Sequence, residues 1–144
     1  NDGAAAVVVM SDTKAAELGI TPLARVVSSA ATGLDPEIMG LGPIEASRKA
    51  LARAGMTIDD IDLVEINEAF AAQVIPSADA LGISWDKLNV NGGAIAVGHP
   101  FGMTGARIMG TLINGLQKDD KTFGLETMCV GGGQGMAMII ERLS

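Results

Sequence analysis

The sequence predicts an α/β fold in which helices cover a mixed β-sheet. Apolar runs typical of buried strands alternate along the chain with segments of helical character, and this alternation favours a mostly parallel sheet. The last two strand-like runs, 123–130 and 136–143, are separated by a glycine-rich turn, so they predict a hairpin that makes the sheet mixed. The composition agrees: 48% of the residues are hydrophobic but only 3% are aromatic, which indicates an aliphatic core.

The first part of the chain begins with a strand-like run and a capped helix. Residues 4–10 are apolar, and Ser11 and Gly19 are typical of the two ends of the helix that follows. Because a strand needs neighbours, we expect the natural N-terminus to lie further upstream. A second strand is predicted at 23–31. Further helical segments are predicted at 36–40, at 43–54 and around 57–60.

The second part of the chain carries the remaining elements. A strand is predicted at 61–66, and a helix follows at 69–81, in which Pro76 is expected to cause a kink or a break. A short strand at 88–90 leads into a glycine-rich segment. The next helix is predicted at about 104–116, before the final hairpin.

Charge and cysteine content exclude several classes of protein. The net charge of -7 argues against a nucleic-acid-binding protein, which needs a clustered basic face. No apolar run reaches the length of a membrane span, so no membrane association is expected. A single cysteine excludes an internal disulfide and is compatible with a reducing compartment, for which the cytoplasm is the default.

Unusual polar residues follow three of the predicted strands. Asn67 comes after the strand at 61–66, His99 follows the short strand near Val90, and Cys129 lies at the end of the strand that begins near Phe123. Ligands in open α/β sheets gather outside the carboxyl ends of the strands. An amide, an imidazole, a thiol and free backbone N–H groups suit acyl chemistry, which needs a base or acid and an oxyanion site.

Each of these residues also has a purely structural interpretation. A lone histidine is commonly a surface or hydrogen-bonded core residue, and a lone buried cysteine is commonly an inert small hydrophobe. Asn67 is also a suitable cap for the helix that follows it. The glycines are compatible with close packing alone, while neither a P-loop nor a dinucleotide-binding glycine motif is present. The functional interpretation depends on the three sites coinciding at strand ends.

Three motifs carry a resemblance to a known family. NEAFA at 67–71, GGAIAVGHPFGMTGAR at 92–107 and CVGGGQG at 129–135 together resemble the C-terminal part of thiolases. The opening NDGAAAVVVMS and GLDPEIMGLGP at 33–43 also match, so the resemblance covers essentially the whole chain. It implies a thiolase-like C-terminal domain with a five-stranded mixed sheet covered by helices on both faces. The segments look most similar to degradative 3-ketoacyl-CoA thiolases of actinobacterial lipid or steroid catabolism.

The resemblance implies a role for each candidate site residue. His99 matches the histidine that activates the nucleophilic cysteine and helps to hold the thioester oxygen, and Asn67 matches the asparagine that orients a water in that oxyanion site. Cys129 matches the cysteine that exchanges a proton with the α-carbon of acetyl-CoA. The backbone N–H of Gly131 matches part of a second oxyanion hole. Two further positions match the lining of the pantetheine or acyl tunnel, namely Phe70 and Met39.

The resemblance also implies what this chain lacks. The family's nucleophilic cysteine lies in the N-terminal half, and this chain has no second cysteine, so we expect the isolated chain to be inactive. Residues 1–21 would be the last strand and helix of the N-terminal domain, and residues 22–144 the C-terminal domain. Coenzyme A and acyl-CoA are the implied substrates, with no permanently bound cofactor and no metal. The complete enzyme is expected to be a homodimer or homotetramer.

Two other functions remain open. One is a relative of the decarboxylating ketoacyl synthases, against which both NEAF and the cysteine before the triple glycine argue. The other is a non-catalytic chain, truncated or structural, that needs an N-terminal partner.

Overall fold

A computed structural model describes all residues 1–144 and contains five α-helices and four β-strands. In chain order these are α1 (Asp12–Leu18), β1 (Ala24–Gly33), α2 (Gly42–Ala54), β2 (Leu63–Ile66), α3 (Ala71–Leu81), α4 (Ala94–Val97), α5 (Phe101–Lys118), β3 (Phe123–Val130) and β4 (Gln134–Arg142). Two short 3₁₀ helices, Pro36–Leu41 and Ile58–Asp60, precede α2 and β2.

The four strands form one mixed sheet in the order β1-β4-β3-β2. The C-terminal hairpin of β3 and β4 is confirmed, but the expectation of a mostly parallel sheet is wrong. Only β2 and β3 run parallel, whereas β4 pairs antiparallel with both β3 and β1. The reason is that β4 returns between β3 and β1, so the first strand of the sheet meets the hairpin and not another parallel strand.

The expected five-stranded sheet is also wrong, because the segment at 88–90 contributes only a single bridge. Leu88 pairs with Val64 of β2, but Asn89 has a φ of 47°, in the left-handed region, and the chain turns away from the sheet there. The Asn89 side chain takes the next place in the ladder. Its Oδ1 accepts from the Ile66 N–H at 2.9 Å, and its Nδ2 donates to the Ile66 carbonyl at 3.0 Å.

Helices cover both faces of the sheet, as expected. On one face, apolar side chains of α2 and α3, including Ala50 and Ala78, pack with Leu125 and Ile139 in the larger core cluster. On the other face, Leu112 and Leu116 of α5 pack with residues of β2 and β4. The alternation of side chains along each strand therefore divides the strand residues between an α2/α3 face and an α5 face.

The predicted strand at 4–10 is not formed. Val8 and Val9 are 84% and 82% exposed, and no strand of the described chain lies beside them. The helix after this segment is confirmed: the Ser11 side chain accepts from the Lys14 N–H, and Gly19 ends the helix in the left-handed conformation.

Helix α3 runs through Pro76 without a break. None of the helices is both long enough and apolar enough to cross a membrane.

Candidate active site

The parallel pair β2 and β3 places two of the candidate residues at the same edge of the sheet. Ile66 and Thr127 are paired in register, and the backbone N–H of Asn67 donates to the Thr127 carbonyl at 2.9 Å. Cys129 lies two residues beyond Thr127, on the same face of β3. Both candidate side chains therefore lie where the two parallel strands end.

The side chains of Asn67 and Cys129 are buried and have no strong polar partner. Asn67 is 0% exposed, and neither its amide oxygen nor its amide nitrogen makes a hydrogen bond within the chain. Buried polar groups are usually satisfied, so this amide is available to bond a water or a ligand. Cys129 is 5% exposed, and this burial raises the pKa of its thiol. The thiol therefore keeps its proton at neutral pH.

Glu68 connects the loop after β2 to the segment that carries the histidine. Its Oε1 accepts from Asn89 Nδ2 at 2.8 Å, and its Oε2 accepts from the backbone N–H of Ile95, in α4, at 3.0 Å. The carboxylate lies so close to Gly93 that a Cβ at this position would overlap it. This bridge holds the NEAF loop against the turn before the histidine, and it explains why residue 93 is glycine.

His99 is held between a left-handed glycine and the start of α5. Gly98 has a φ of 91°, and Pro100 restricts the backbone of the histidine before it. The imidazole Nδ1 lies 2.5 Å from the hydroxyl oxygen of Thr104, in the first turn of α5. Partial burial and then the charge of Arg107 lower the pKa of His99, so the imidazole is neutral at pH 7 and can accept a proton.

The triple-glycine hairpin has two different kinds of glycine. Gly133 has a φ of 82°, and a Cβ there would overlap the Leu34 carbonyl, while a Cβ on Gly135 would overlap the backbone of Gly42. Those two glycines are required by close packing. By contrast, Gly131 has open space around its Cα, and its backbone N–H donates to no group of the chain. An unpaired N–H two residues after a buried thiol is a suitable oxyanion donor.

A buried carboxyl pair lies on the α5 face of the sheet. Glu65 and Glu126 are directly paired in the parallel ladder of β2 and β3. A guanidinium nitrogen of Arg107 lies 3.7 Å from Glu65 Oε2, which is beyond hydrogen-bond distance. Burial raises the pKa of Glu65 to about 7, and burial together with the charge of Glu65 raises that of Glu126 to about 8. Arg107 is therefore near one member of the pair, Glu65.

Comparison with known proteins places this chain in a family. The family model described as thiolase, C-terminal domain, matches residues 20–142. The chain belongs to the thiolase family.

Relatives of this thiolase chain have two kinds of name. An acetyl-CoA acetyltransferase of Syntrophomonas wolfei is 62% identical over 99% of the chain, and that of Escherichia coli is 56% identical over all of it. A 3-ketoacyl-CoA thiolase of Saccharophagus degradans is 55% identical over 99% of the chain. The chain spans only 36–37% of the length of these curated relatives.

Solved thiolase structures share the fold described above. A crystal structure of acetyl-CoA acetyltransferase from Bacillus anthracis superposes with a TM-score of 0.90 at 48% identity, and human mitochondrial 3-ketoacyl-CoA thiolase with a TM-score of 0.91 at 44% identity. Each comparison covers 93% of this chain and 34% of the solved one. Because both names occur among the relatives, the narrower resemblance to degradative enzymes of lipid or steroid catabolism stays a prediction.

The two candidate tunnel residues lie at a shallow depression beside the start of α3. Phe70 is 73% exposed immediately before α3, where it lines a shallow depression together with Ile38 and Pro76. Met39 is half-buried in the 3₁₀ helix that borders this depression, but it does not line it. An exposed phenylalanine beside a depression is a suitable contact for an apolar ligand chain.

The sequence predicts Asn67, His99 and Cys129 as candidates but gives little sign of the groups that contact the segments carrying them. It assigned no role to the bridge made by Glu68, to the side chain of Asn89 or to the hydroxyl of Thr104. The last of these had a usable signal, because a threonine four residues after Pro100 is placed to bond the carbonyl one helical turn back. The ladder contacts of Asn89 had no such signal, since they depend on a left-handed turn that the sequence does not specify.

Proposed function

We propose that the complete protein containing this chain is an acyltransferase that transfers an acyl group between CoA and acetyl-CoA. The reaction is the thiolytic cleavage of a 3-ketoacyl-CoA, or the reverse Claisen condensation. The observation that carries this proposal is that Asn67 and Cys129 lie at the carboxyl end of the β2/β3 pair, while Glu68 bonds the helix before His99 to the same loop. The names of the thiolase relatives support the same reaction.

In this proposal His99 and Asn67 serve the first half of the reaction. A nucleophilic cysteine from the N-terminal half gives its proton to the neutral imidazole and attacks the keto carbon of the substrate. Cleavage of the Cα–Cβ bond leaves its electron pair on the acetyl-CoA fragment as an enolate. His99, now carrying a proton, stabilises the enolate oxygen together with a water that the free amide of Asn67 orients.

Cys129 and Gly131 serve the remaining steps. The buried thiol of Cys129 is protonated, so it can donate its proton to the enolate carbon and release acetyl-CoA. The free N–H of Gly131 is available to stabilise the oxyanion that forms when the thiol of a second CoA takes the acyl group from the nucleophilic cysteine. We assign Phe70 and Met39 to the pantetheine or acyl tunnel. CoA enters as a substrate, and no permanently bound cofactor is required.

The remaining parts of the proposal concern the complete enzyme. We assign residues 1–21 to the last strand and helix of the N-terminal half and 22–144 to the C-terminal domain. The exposed valines of the first segment, which have no strand beside them, support a partner in that missing half. We propose that the complete enzyme is a homodimer or homotetramer. We propose the cytoplasm as its location because the single cysteine of this chain is free. Lipid or steroid acyl-CoA is our proposed class of substrate.

The test is to replace His99 with alanine in the complete protein and to measure acetoacetyl-CoA cleavage. We expect turnover to fall by about 10²–10⁴-fold, the usual contribution of a general base. Lys118→Ala, at the C-terminal end of α5 and remote from the site, is the control and is expected to keep normal turnover. Near-normal turnover of His99→Ala would contradict the proposed function.

A further inference from the structure

Thr104 makes two polar contacts that together determine the position of one hydrogen. Its Oγ1 lies 2.5 Å from His99 Nδ1 and 3.1 Å from the carbonyl oxygen of Pro100. The threonine is 0% exposed, so no solvent contact competes with these two partners. The Pro100 carbonyl has no hydrogen of its own and also accepts from the backbone N–H groups of Met103 and Thr104.

A hydroxyl group has one hydrogen to donate and lone pairs with which to accept. If the Thr104 hydroxyl donates to Pro100, then Nδ1 of His99 must donate to Oγ1, and both contacts are hydrogen bonds. If the hydroxyl donates to Nδ1 instead, the hydroxyl and carbonyl oxygens meet lone pair to lone pair at 3.1 Å in a buried site. The Pro100 carbonyl has backbone donors in either case, but only the first arrangement makes both contacts of the hydroxyl hydrogen bonds and avoids this repulsion.

We infer that Thr104 fixes His99 in the tautomer with hydrogen on Nδ1, so that Nε2 carries the lone pair and is the nitrogen that accepts the proton. Thr104 is thus a positioning residue. The hydrogen-bonded chain ends at a peptide carbonyl, which cannot take up a proton. The hydroxyl therefore orients the ring and does not relay a proton away from it.

The catalytic meaning of this tautomer rests on the proposed function. When the nucleophilic thiol is deprotonated, its S–H bond breaks with the electron pair left on sulfur, and an N–H bond forms at Nε2. The imidazolium then has two N–H groups. The one at Nδ1 stays on Thr104, and the new one at Nε2 can donate to the enolate oxygen. A ring in the other tautomer would have no lone pair at Nε2 for the first transfer.

The experiment is nitrogen NMR of the complete protein labelled with ¹⁵N-histidine, at about pH 8, where a histidine of ordinary pKa is neutral. His99→Asn identifies the two ring resonances by their disappearance. We expect Nδ1 to be of the protonated, pyrrole type and Nε2 to be of the unprotonated, pyridine type. A protonated Nε2 in the unsubstituted protein would overturn the inference, whatever its activity.

Two variants test the role of the hydroxyl. Thr104→Val removes the hydrogen-bond partner at nearly constant shape, and we expect both ring resonances to move towards a mixture of tautomers. We expect kcat to fall about five- to tenfold with little change in KM, as for the loss of one hydrogen bond. Thr104→Ser keeps the hydroxyl and should preserve the spectrum and kcat. An unchanged spectrum in Thr104→Val would contradict the inference.

These readouts separate the inference from the proposed function. If the spectra are as expected but His99→Ala keeps normal turnover, the tautomer assignment stands and the thiolase mechanism fails. If His99→Ala is inactive but Nε2 is protonated in the resting protein, the mechanism stands and the assignment fails. Should Thr104→Val not fold, the unsubstituted spectrum and Thr104→Ser still decide the matter.

Discussion

At the scale of single residues, burial sets opposite protonation states in the two side chains that are proposed to move protons. Burial raises the pKa of the Cys129 thiol and lowers the pKa of the His99 imidazole. Desolvation disfavours the charged form in both cases, which is the thiolate for cysteine and the imidazolium for histidine. The resting site therefore holds a proton donor on β3 and a proton acceptor before α5. Such a pair provides the acid and the base at one pH.

We predict that Cys129→Ser abolishes proton exchange while leaving the fold intact. A serine hydroxyl is a far weaker acid than a thiol, so it cannot deliver or collect the α-proton at a useful rate. The measurement is the exchange of acetyl-CoA methyl hydrogens in D₂O by the complete enzyme, for which we expect a loss of about 10²-fold or more. Met128→Leu, which changes the neighbouring side chain on the opposite face of β3, is the control. Retention of exchange by Cys129→Ser would exclude the proposed role.

We predict that the carboxyl pair makes stability fall as the pH rises. The pKa of Glu126 is raised from about 4.5 to about 8, so between these values the folded state binds more protons than the unfolded state. The stability associated with the protonated carboxyl is therefore fully present below about pH 4.5 and lost as the pH rises to about 8. Glu65, with its pKa raised to about 7, acts in the same direction.

Glu126→Gln removes this titration and keeps the shape of the side chain. We expect its free energy of unfolding to exceed that of the unsubstituted protein by roughly 1–3 kcal/mol at pH 8, with a much smaller difference at pH 5. Urea unfolding of the complete protein across this range is the measurement. Glu37→Gln, on an exposed helical turn, should show no such trend. A difference that is constant with pH would rule out the explanation.

At the scale of secondary-structure elements, the hairpin of β3 and β4 is fixed in place by backbone contacts. Gly135 lies against Gly42 at the start of α2, and the Leu34 N–H donates to the Gly133 carbonyl at 2.9 Å. The turn that carries Gly131 is thereby attached to the end of β1 and to the start of α2. Elements remote in sequence thus hold the proposed oxyanion donor in position, which a free hairpin tip cannot do.

We predict that Gly135→Ala destabilises the protein strongly. The added methyl group would overlap backbone atoms of Gly42, which cannot move without shifting α2. We expect a loss of at least about 2–3 kcal/mol in the free energy of unfolding, measured by urea denaturation of the complete protein. Gly131→Ala is the control for folding, because its Cβ would meet open space, and it should change stability by less than about 0.5 kcal/mol. Equal stabilities of the two variants would contradict this packing argument.

At the scale of the whole molecule, the sequence predicted element types well and their pairing poorly. Helix ends were predictable where a local group determines them, as at Ser11 and Gly19. The hairpin was predictable because its strands are adjacent in sequence. The position of β4 between β3 and β1 was not, because strand order depends on contacts between residues more than a hundred positions apart, such as Ala24 and Arg142.

The candidate site was likewise predictable only in part. Residues that stand out by type, such as the lone His99 and the lone Cys129, were recognisable in the sequence. The contact between Glu68 and Ile95 was not, because it is fixed only by the folded backbone. For Thr104, helical spacing indicated the bond to Pro100 but gave no sign of the contact with His99. The carboxyl pair could not be predicted either, because the pairing of Glu65 with Glu126 depends on the register of two strands.

The turn at Asn89 also affects how this sheet meets other molecules. Strand β2 lies at one end of the sheet, and an uncovered strand there is a template for pairing with foreign chains. The backbone groups of Val64 bond to Lys87 and Asn89, and the side chain of Asn89 bonds to both backbone groups of Ile66. The backbone of Lys87 and Asn89 and the amide side chain of Asn89 thus bond the outward-facing backbone groups of Val64 and Ile66. The segment that does not become a fifth strand thereby leaves this edge with few free backbone groups for a foreign chain to pair with.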